Sequence, residues 1–487
     1  MFDKKNLFYY VLLLLAFLVG LFFRVKLYLI NNDIHCDEAS LALNIMDISY
    51  LDAFKPLMRH QVAPPMFIIF SKFIYSFARF HYTPNFSDLL LRFIPLLSGI
   101  LAMPLFAYLI NKLFHNKLMT LFGLFFLAVN PVAISYSCVF KQYSMEMLIS
   151  ILVLILFAKI DFKLKSFTYN LLIFLLLGIS PLFSMTALFI MPGGFIYLFI
   201  KAFKQEHLKD FFIASSLFGC LFILYAISYL LPVYSTHSEY MKDYWSHTFS
   251  AATNIWRYIY NSVRFLFRIF IPYKPMTIAV LVLINTLLMF IKDFKTGILI
   301  SSTLFVTFIL SANNSYPVDE RLLLFILPCY IISITYFLTF IPEKYVFKYK
   351  NIVCVFFLAL SYYSWKTHPS DTLIILKQEA TKRIWNYYIN NCDQDIPLFL
   401  GRSPNSNAYY AKLYNHSNWK SWKKIAAAPP GVYYLLITKA KNNKNIIQTA
   451  NFLQETPQIK IIEDKEFCVY SVYDYGCGHL YKFRKLY

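Results

Sequence analysis

Apolar residues in this chain run in long blocks, separated by short polar and mostly basic connections. Blocks long enough to cross, or nearly cross, a hydrocarbon core occupy residues 7–30, 89–110, 118–129, 145–160, 211–231, 276–291, 298–310, 322–341 and 352–360. Segment 170–200 is interrupted by Ser180-Pro181 and Pro192-Gly193-Gly194, and broken helices are tolerated where protein or a cavity covers the freed backbone. Counting it as two spans predicts about eleven crossings.

The basic residues test that count. With the N-terminus inside, the cytoplasmic loops carry Lys4 and Lys5, Lys112 and Lys117, Lys163 and Lys165, Lys201, Lys204 and Lys209, Lys292 and Lys295, then Lys344, Lys348 and Lys350, so every inside loop is basic. Taken as one span, 170–200 turns the last three of these loops outward, against the rule. The two-span topology puts the loop after residue 30, the turn 130–143, the loop 232–275, the turn 311–321 and everything after Trp365 on the face opposite the cytoplasm.

Three stretches depart from the spanning pattern. In 40–54, Leu41, Ile45, Ile48 and Leu51 recur at helical spacing among polar positions, predicting a helix lying in the interface; Ala63-Pro64-Pro65 then breaks the chain before a second surface helix over 66–80 that carries Lys72 and Arg79. The loop 232–275 is rich in Tyr, Trp and His, with Trp256, Arg257, Arg264 and Arg268 at interfacial-helix spacing. An aromatic belt accounts for it, and a lid over a bound ligand is the sharper alternative. After Trp365 helices are predicted over 372–391, 407–414 and 445–453, and strands over 396–400, 432–437, 459–462 and 467–472. The expected architecture is a polytopic α-helical membrane domain, 1–364, with interfacial helices in 31–88, and a small extracytoplasmic α/β domain, 365–487.

Composition agrees with a membrane class: 58% of the 487 residues are hydrophobic, 19% aromatic and only 15% charged. The net charge of +20 is spread over short loops, where it reports orientation and anionic headgroups and does not point to nucleic acid. The 8 cysteines show no metal-site spacing, and Cys392, Cys468 and Cys477 in the polar tail allow one disulfide if that tail is exported. Block 7–30 is too long for a cleaved signal sequence and reads as an anchor.

Candidate chemistry concentrates where Asp37 and Glu38 follow the first apolar block. An acidic pair at the lip of a bilayer is expensive facing lipid and useful facing a cavity. The plainer reading makes Asp37 a helix cap with Glu38 favouring the same dipole. Asp37, Glu38, His35 and His60 also supply oxygen and nitrogen donors, but without compact metal-ligand spacing; no metal is predicted, and a divalent ion stays open.

Asp37-Glu38, Pro64-Pro65-Met66-Phe67, Asn130-Pro131 through Ser137 with Lys141-Gln142-Tyr143, and Asp319-Glu320-Arg321 with Pro328 together resemble the membrane-embedded glycosyltransferases that use polyprenyl-phosphate sugars. The resemblance is to the GT-C fold group of protein O-mannosyltransferases and lipid A aminoarabinose transferases. Cys138 and Leu322 stand where the group commonly has a basic residue and Tyr.

The resemblance implies an inverting transfer of sugar to a glycan, lipid or protein acceptor at the outer face of a plasma membrane. It implies Asp37 as general base, with Glu38 positioning the acceptor or orienting Asp37. Arg321, Lys141 and Arg59, with His60 and Gln61, are the donor-phosphate candidates, and Tyr143, Pro64 and Pro65 possible substrate contacts. Glu146 is either a buried partner of Lys141 or part of the site, and the ion pair is the favoured reading. The alternatives are a transporter or flippase of lipid-linked sugars, in which charges and broken helices gather near mid-membrane, and a surface-polysaccharide polymerase or ligase.

Overall fold

The structure, a computed structural model, describes residues 4–78, 84–246, 275–319, 321–342, 381–401, 404–416, 418–425, 427–440, 458–470 and 475–486. The helices expected over 445–453 and around Trp256 to Arg268, and the block 352–360, lie outside the described residues. The chain packs as two compact units. One comprises Met1–Tyr28, Ser49–Phe70 and Phe93–Pro369; the other comprises Leu29–Ile48, Ser71–Arg92 and Ser370–Tyr487.

The first unit is helical. Its elements come from α1 (Lys4–Ile30), α3 (Pro65–Ala78), α4 (Pro84–Phe114), α5 (Lys117–Val129), α6 (Pro131–Tyr136), α7 (Tyr143–Lys159), α8 (Phe167–Ile179), α9 (Met191–Gln205), α10 (Leu208–Tyr225), α11 (Leu231–Tyr244), α12 (Pro275–Lys292), α13 (Phe294–Ala312) and α14 (Leu327–Thr335). Among the described residues, four helices are long and apolar enough to cross a membrane: Leu7–Ile30, Phe86–Phe114, Leu208–Tyr244 and Phe294–Ala312. Shorter apolar helices accompany them. The expected break in 170–200 is present, with Ser180–Leu182 and Met185–Phe189 as short 3-10 turns between α8 and α9.

Local chemistry explains the junctions. Asn116 and Asn130 accept the Met119 and Ala133 N–H groups with their side chains, at 2.8 and 2.9 Å, capping α5 and α6. Arg24 in α1 is fully buried and spends its guanidinium on carbonyls: Nη1 donates to Ala128 O at 2.9 Å and Nη2 to Leu127 O at 3.1 Å. Those are among the last carbonyls of α5, where a cation satisfies orphan acceptors at the negative end of the helix. Gly20, one turn earlier, has no room for a Cβ, which would meet Met103 Sδ at 2.5 Å and Ala128 Cβ at 2.8 Å; this close approach lets Arg24 reach across.

The second unit joins the segment after α1 to the C-terminal α/β domain. Asn31, in the left-handed region at φ 49°, ends α1. The next helix, α2 (Cys36–Asp47), is buried over nearly its whole surface from Glu38 to Ile45. This corrects the helix expected over 40–54: Ile48 is extended, and Ser49 Oγ donates to Asp52 Oδ2 at 2.6 Å, a side-chain turn that competes with helix and leaves only the 3-10 turn Leu51–Phe54.

The C-terminal domain has α15 (Thr381–Asn391), α16 (Pro404–Leu413) and a five-stranded sheet in the order β2-β1-β3-β5-β4. Its strands are β1 (Leu398–Leu400), β2 (Trp419–Ser421), β3 (Gly431–Ala440), β4 (Ile459–Tyr470) and β5 (Tyr475–Lys485). β1 pairs parallel with β2 and β3, and β5 pairs antiparallel with β3 and β4.

Both faces of β3 are covered, which is why Val432 to Ile437 is almost continuously apolar. Tyr433, Leu435 and Ile437 pack with Phe399, Ile425, Tyr481 and Phe483, while the Tyr434 ring meets Tyr388 of α15 at 5.6 Å. The two strands expected over 459–462 and 467–472 are one, because β5 pairs along the whole run, with Glu463 to Glu466 in register with Lys482 to His479. β5 was not anticipated, since Gly476 and Gly478 interrupt its apolar alternation. Cys468 and Cys477 are register partners across β4 and β5, and Cys392 is a free thiol.

Candidate functional site

In the second unit, α2 begins at Cys36 and its cap is His35, not Asp37. The His35 ring Nδ1 accepts the Asp37 N–H at 3.4 Å, and Glu38 Oε2 accepts the His35 backbone N–H at 3.1 Å. Asp37 is therefore the second helical residue. It is half-buried, in the positive end of the helix dipole, and its carboxylate is not the group that caps the helix.

Glu38 is buried and held by Arg92 of α4, whose Nε and Nη2 donate to Oε1 and Oε2 at 2.9 Å each. The same guanidinium donates from Nη1 to Asn32 O at 2.6 Å and from Nη2 to Asp33 O at 3.2 Å. One side chain thus ties the loop before α2 to the first turn of α2, in the bidentate geometry that suits Arg and not Lys.

One turn before Arg92, the fully buried Asp88 accepts Lys382 Nζ at 2.7 Å, Tyr409 Oη at 2.8 Å and Tyr410 Oη at 3.0 Å. Burial, with Asp88 alongside, keeps both tyrosine hydroxyls well above their ordinary range, so they remain donors. Asp33 Oδ2 accepts the Lys382 N–H at 2.8 Å in the first turn of α15. Burial pushes the Asp33 carboxyl up to about 6 against the pull of the Lys382 charge and N–H.

The first unit holds the other candidates. Arg59 and His60 are both exposed and both left-handed, at φ 58° and 53°, a strained pair for non-glycine residues. The loop is fixed by neighbours: Lys141 Nζ donates to Gln61 Oε1 at 2.6 Å, Gln142 Nε2 to Val62 O at 3.1 Å and Tyr229 Oη to Ala63 O at 2.5 Å. Lys141 is buried, and its ammonium meets Gln61 where an ion pair with Glu146 was expected. Tyr143 opens α7, two residues ahead of the block expected over 145–160, and packs edge-on against Tyr136 at 5.3 Å. Pro64 and Pro65 are buried at the start of α3, where Phe67 meets Phe140 at 5.7 Å.

On α11, His237, Tyr240 and Tyr244 fall on one face. Tyr240 stacks on His60 at 3.8 Å and 13°, and Tyr244 packs edge-on against Trp245 at 5.1 Å. The Trp245 ring lies 4.8 Å from the Arg321 guanidinium, and Arg321 Nε is 3.3 Å from Asp319 Oδ1 without hydrogen-bond alignment. Arg321 does not itself start a helix. It sits in a turn, and α14 begins at Leu327 with Pro328 in its first turn. The structure thus groups Gln61 with Lys141, His60 with Tyr240, and Arg321 with Trp245.

Sequence reading passed over Arg92, Asp88, Lys382, Tyr409 and Tyr410. Asp88 and Arg92, four apart at the edge of an apolar block, were a usable signal. Among the described residues no group of three or more His, Cys, Asp or Glu is placed to hold a metal ion, and both Glu38 oxygens are engaged by Arg92.

Apolar helices with a small C-terminal α/β domain define the class: a polytopic α-helical membrane protein. No family model and no curated protein sequence matches the chain. Among solved structures it is similar to ArnT from Cupriavidus metallidurans in the apo state, with 10% identity, TM-score 0.56 and 98% of each chain covered. ArnT bound to undecaprenyl phosphate aligns over the same shares at 10% identity and TM-score 0.52. The Archaeoglobus fulgidus oligosaccharyltransferase in complex with Zn and sulfate aligns over 88% of this chain and 67% of that one, at 12% identity and TM-score 0.49. The fold is therefore that of ArnT, the GT-C architecture expected from the sequence.

Proposed function

We propose that this protein is a glycosyltransferase that moves a sugar from a polyprenyl-phosphate donor to an acceptor at the extracytoplasmic face of the membrane. The observation that carries the reading is the placement of Asp37, half-buried in the first turn of α2 beside a Glu38 immobilised by Arg92. The ArnT fold, solved with undecaprenyl phosphate in that protein, supports a lipid-phosphate donor.

In this reading Asp37 takes the proton of an acceptor hydroxyl as its oxygen attacks the anomeric carbon. The carbon–oxygen bond to phosphate breaks, the polyprenyl phosphate leaves with the bonding pair, and configuration inverts. Glu38, spent on Arg92, positions Asp37. The sequence resemblance assigns the leaving phosphate to Arg321, Lys141 and Arg59, with His60 and Gln61. Membrane lipids are the remaining partner, and EDTA treatment reports whether a divalent ion contributes.

The test is a deletion strain complemented with wild type or Asp37→Asn, with lipid A, glycoproteins and polysaccharide compared by mass spectrometry. Asn keeps the size and most hydrogen bonding of Asp but cannot accept the proton, so product is expected to fall by about two to four orders of magnitude while the protein accumulates and still binds undecaprenyl phosphate. Near-normal product from Asp37→Asn overturns the mechanism. Lost lipid binding with the fold intact makes Asp37 a donor ligand instead.

A further inference from the structure

We propose that the C-terminal α/β domain positions the base: through the buried Asp88–Lys382 pair and the Tyr410 hydroxyl it holds the segment 31–47 that carries Asp37, and transfer requires this hold. The inference rests on the reading of Asp37 as base and deepens it.

Asp88 is fully buried in the first turns of α4, and three donors from the C-terminal domain, Lys382 Nζ, Tyr409 Oη and Tyr410 Oη, converge on its two oxygens. A buried carboxylate stripped of such partners carries a large desolvation penalty, so these groups commit the domain to one docked arrangement. The same side chains then grip the segment ahead of α2. Tyr410 Oη accepts the Ile34 N–H at 3.1 Å, Lys382 Nζ donates to Asn31 O at 3.2 Å, and the Lys382 N–H donates to Asp33. Further along α2, Asn405 Nδ2 donates to Ser40 Oγ at 2.7 Å and Lys412 pairs with Asp47.

Asp37 thus stands between backbone anchors at Asn31 and Ile34 and side-chain anchors at Ser40 and Asp47, all supplied by one domain. A general base works only within hydrogen-bond reach of its proton, and a misplacement of about 1 Å costs on the order of a hundredfold in rate. Lys382, Tyr410 and Asp88 are accordingly positioning residues, acting on the chemistry through the backbone of 31–47.

Cys36, the half-buried first residue of α2, is a native reporter of that hold, with Sγ 3.9 Å from Asn405 Nδ2. The experiment uses the full-length protein in detergent micelles and compares wild type, Lys382→Met, Lys382→Arg and Tyr410→Phe. Maleimide alkylation of Cys36 is followed by peptide-resolved mass spectrometry, undecaprenyl phosphate binding is measured directly, and product is scored in the complemented deletion strain.

Lys382→Met and Tyr410→Phe are expected to speed Cys36 alkylation about fivefold and to lower product about tenfold or more, with lipid binding kept. Lys382→Arg, which retains the charge, is expected to stay close to wild type in both. Should Lys382→Met fail to accumulate, Tyr410→Phe carries the test, since it removes one oxygen and no packing. An unchanged Cys36 rate, or a faster rate with normal product, overturns the proposal. Failure of the base reading looks different: product persists in Asp37→Asn.

Discussion

Arg92 donates from Nε and Nη2 to the two carboxylate oxygens of Glu38, each at 2.9 Å, and both side chains are only 4% exposed. A pair buried this deeply is costly to break from one side, on the order of 3–5 kcal/mol, because the survivor is left charged without a partner.

Arg92→Met is therefore expected to reduce accumulation sharply, while Glu38→Gln, which keeps an acceptor for the guanidinium, is milder. The double variant Arg92→Met with Glu38→Gln should recover much of the lost level, since neither charge is then buried alone. Quantitative blotting of purified membranes checks this. Additive losses in the double variant would mean that the two residues act independently.

Arg321 offers a second contrast. Arg321→Ala loses charge, fork and the Trp245 stack, whereas Arg321→Lys keeps charge alone, so undecaprenyl phosphate binding should fall more in Ala than in Lys. Lys141→Met should weaken the same binding, since it removes the cation that meets Gln61. Normal binding and product in Arg321→Ala would make it a headgroup anchor and leave Lys141 and Arg59 as the phosphate ligands.

Orientation is tested by reporters active only after export. Fusion at Tyr487 should report export, and fusions after Lys165 and Lys295 should not, following the basic inside loops. A cytoplasmic Tyr487 would remove the C-terminal domain from the proposed face.

What the sequence disclosed follows from the range of the forces involved. Apolar blocks, the break at Ser180-Pro181 and, to within two residues, the start of α7 at Tyr143 are set by neighbours within a turn or two, and were readable. The Arg92–Glu38 pair joins residues 54 positions apart, and the Lys382 contact to Asp33 spans 349, beyond any local pattern. The same holds for α2. Its residues read as a half-wet interfacial helix, because nothing nearby in sequence announces α16, whose Asn405 and Lys412 meet it.

Asp33 adds a pH dependence whose sign can be worked out. Its carboxyl, near 3.9 in an unfolded chain, is pushed up to about 6 by burial, with Asp88 raising it and Lys382 and Arg383 lowering it. The folded state therefore binds the proton more tightly. The stability this contributes is fully present below about pH 4 and is lost as pH rises through about 6, on the order of 1–3 kcal/mol. Asp33→Asn keeps an oxygen for the Lys382 N–H and removes the buried negative charge. The variant should therefore melt a few degrees higher than wild type at about pH 7.5 and match it more closely near pH 5, as read by thermal unfolding of the full-length protein in micelles. Equal melting shifts at both pH values would mean that the Asp33 carboxyl does not titrate in this range and that Lys382 already compensates its charge.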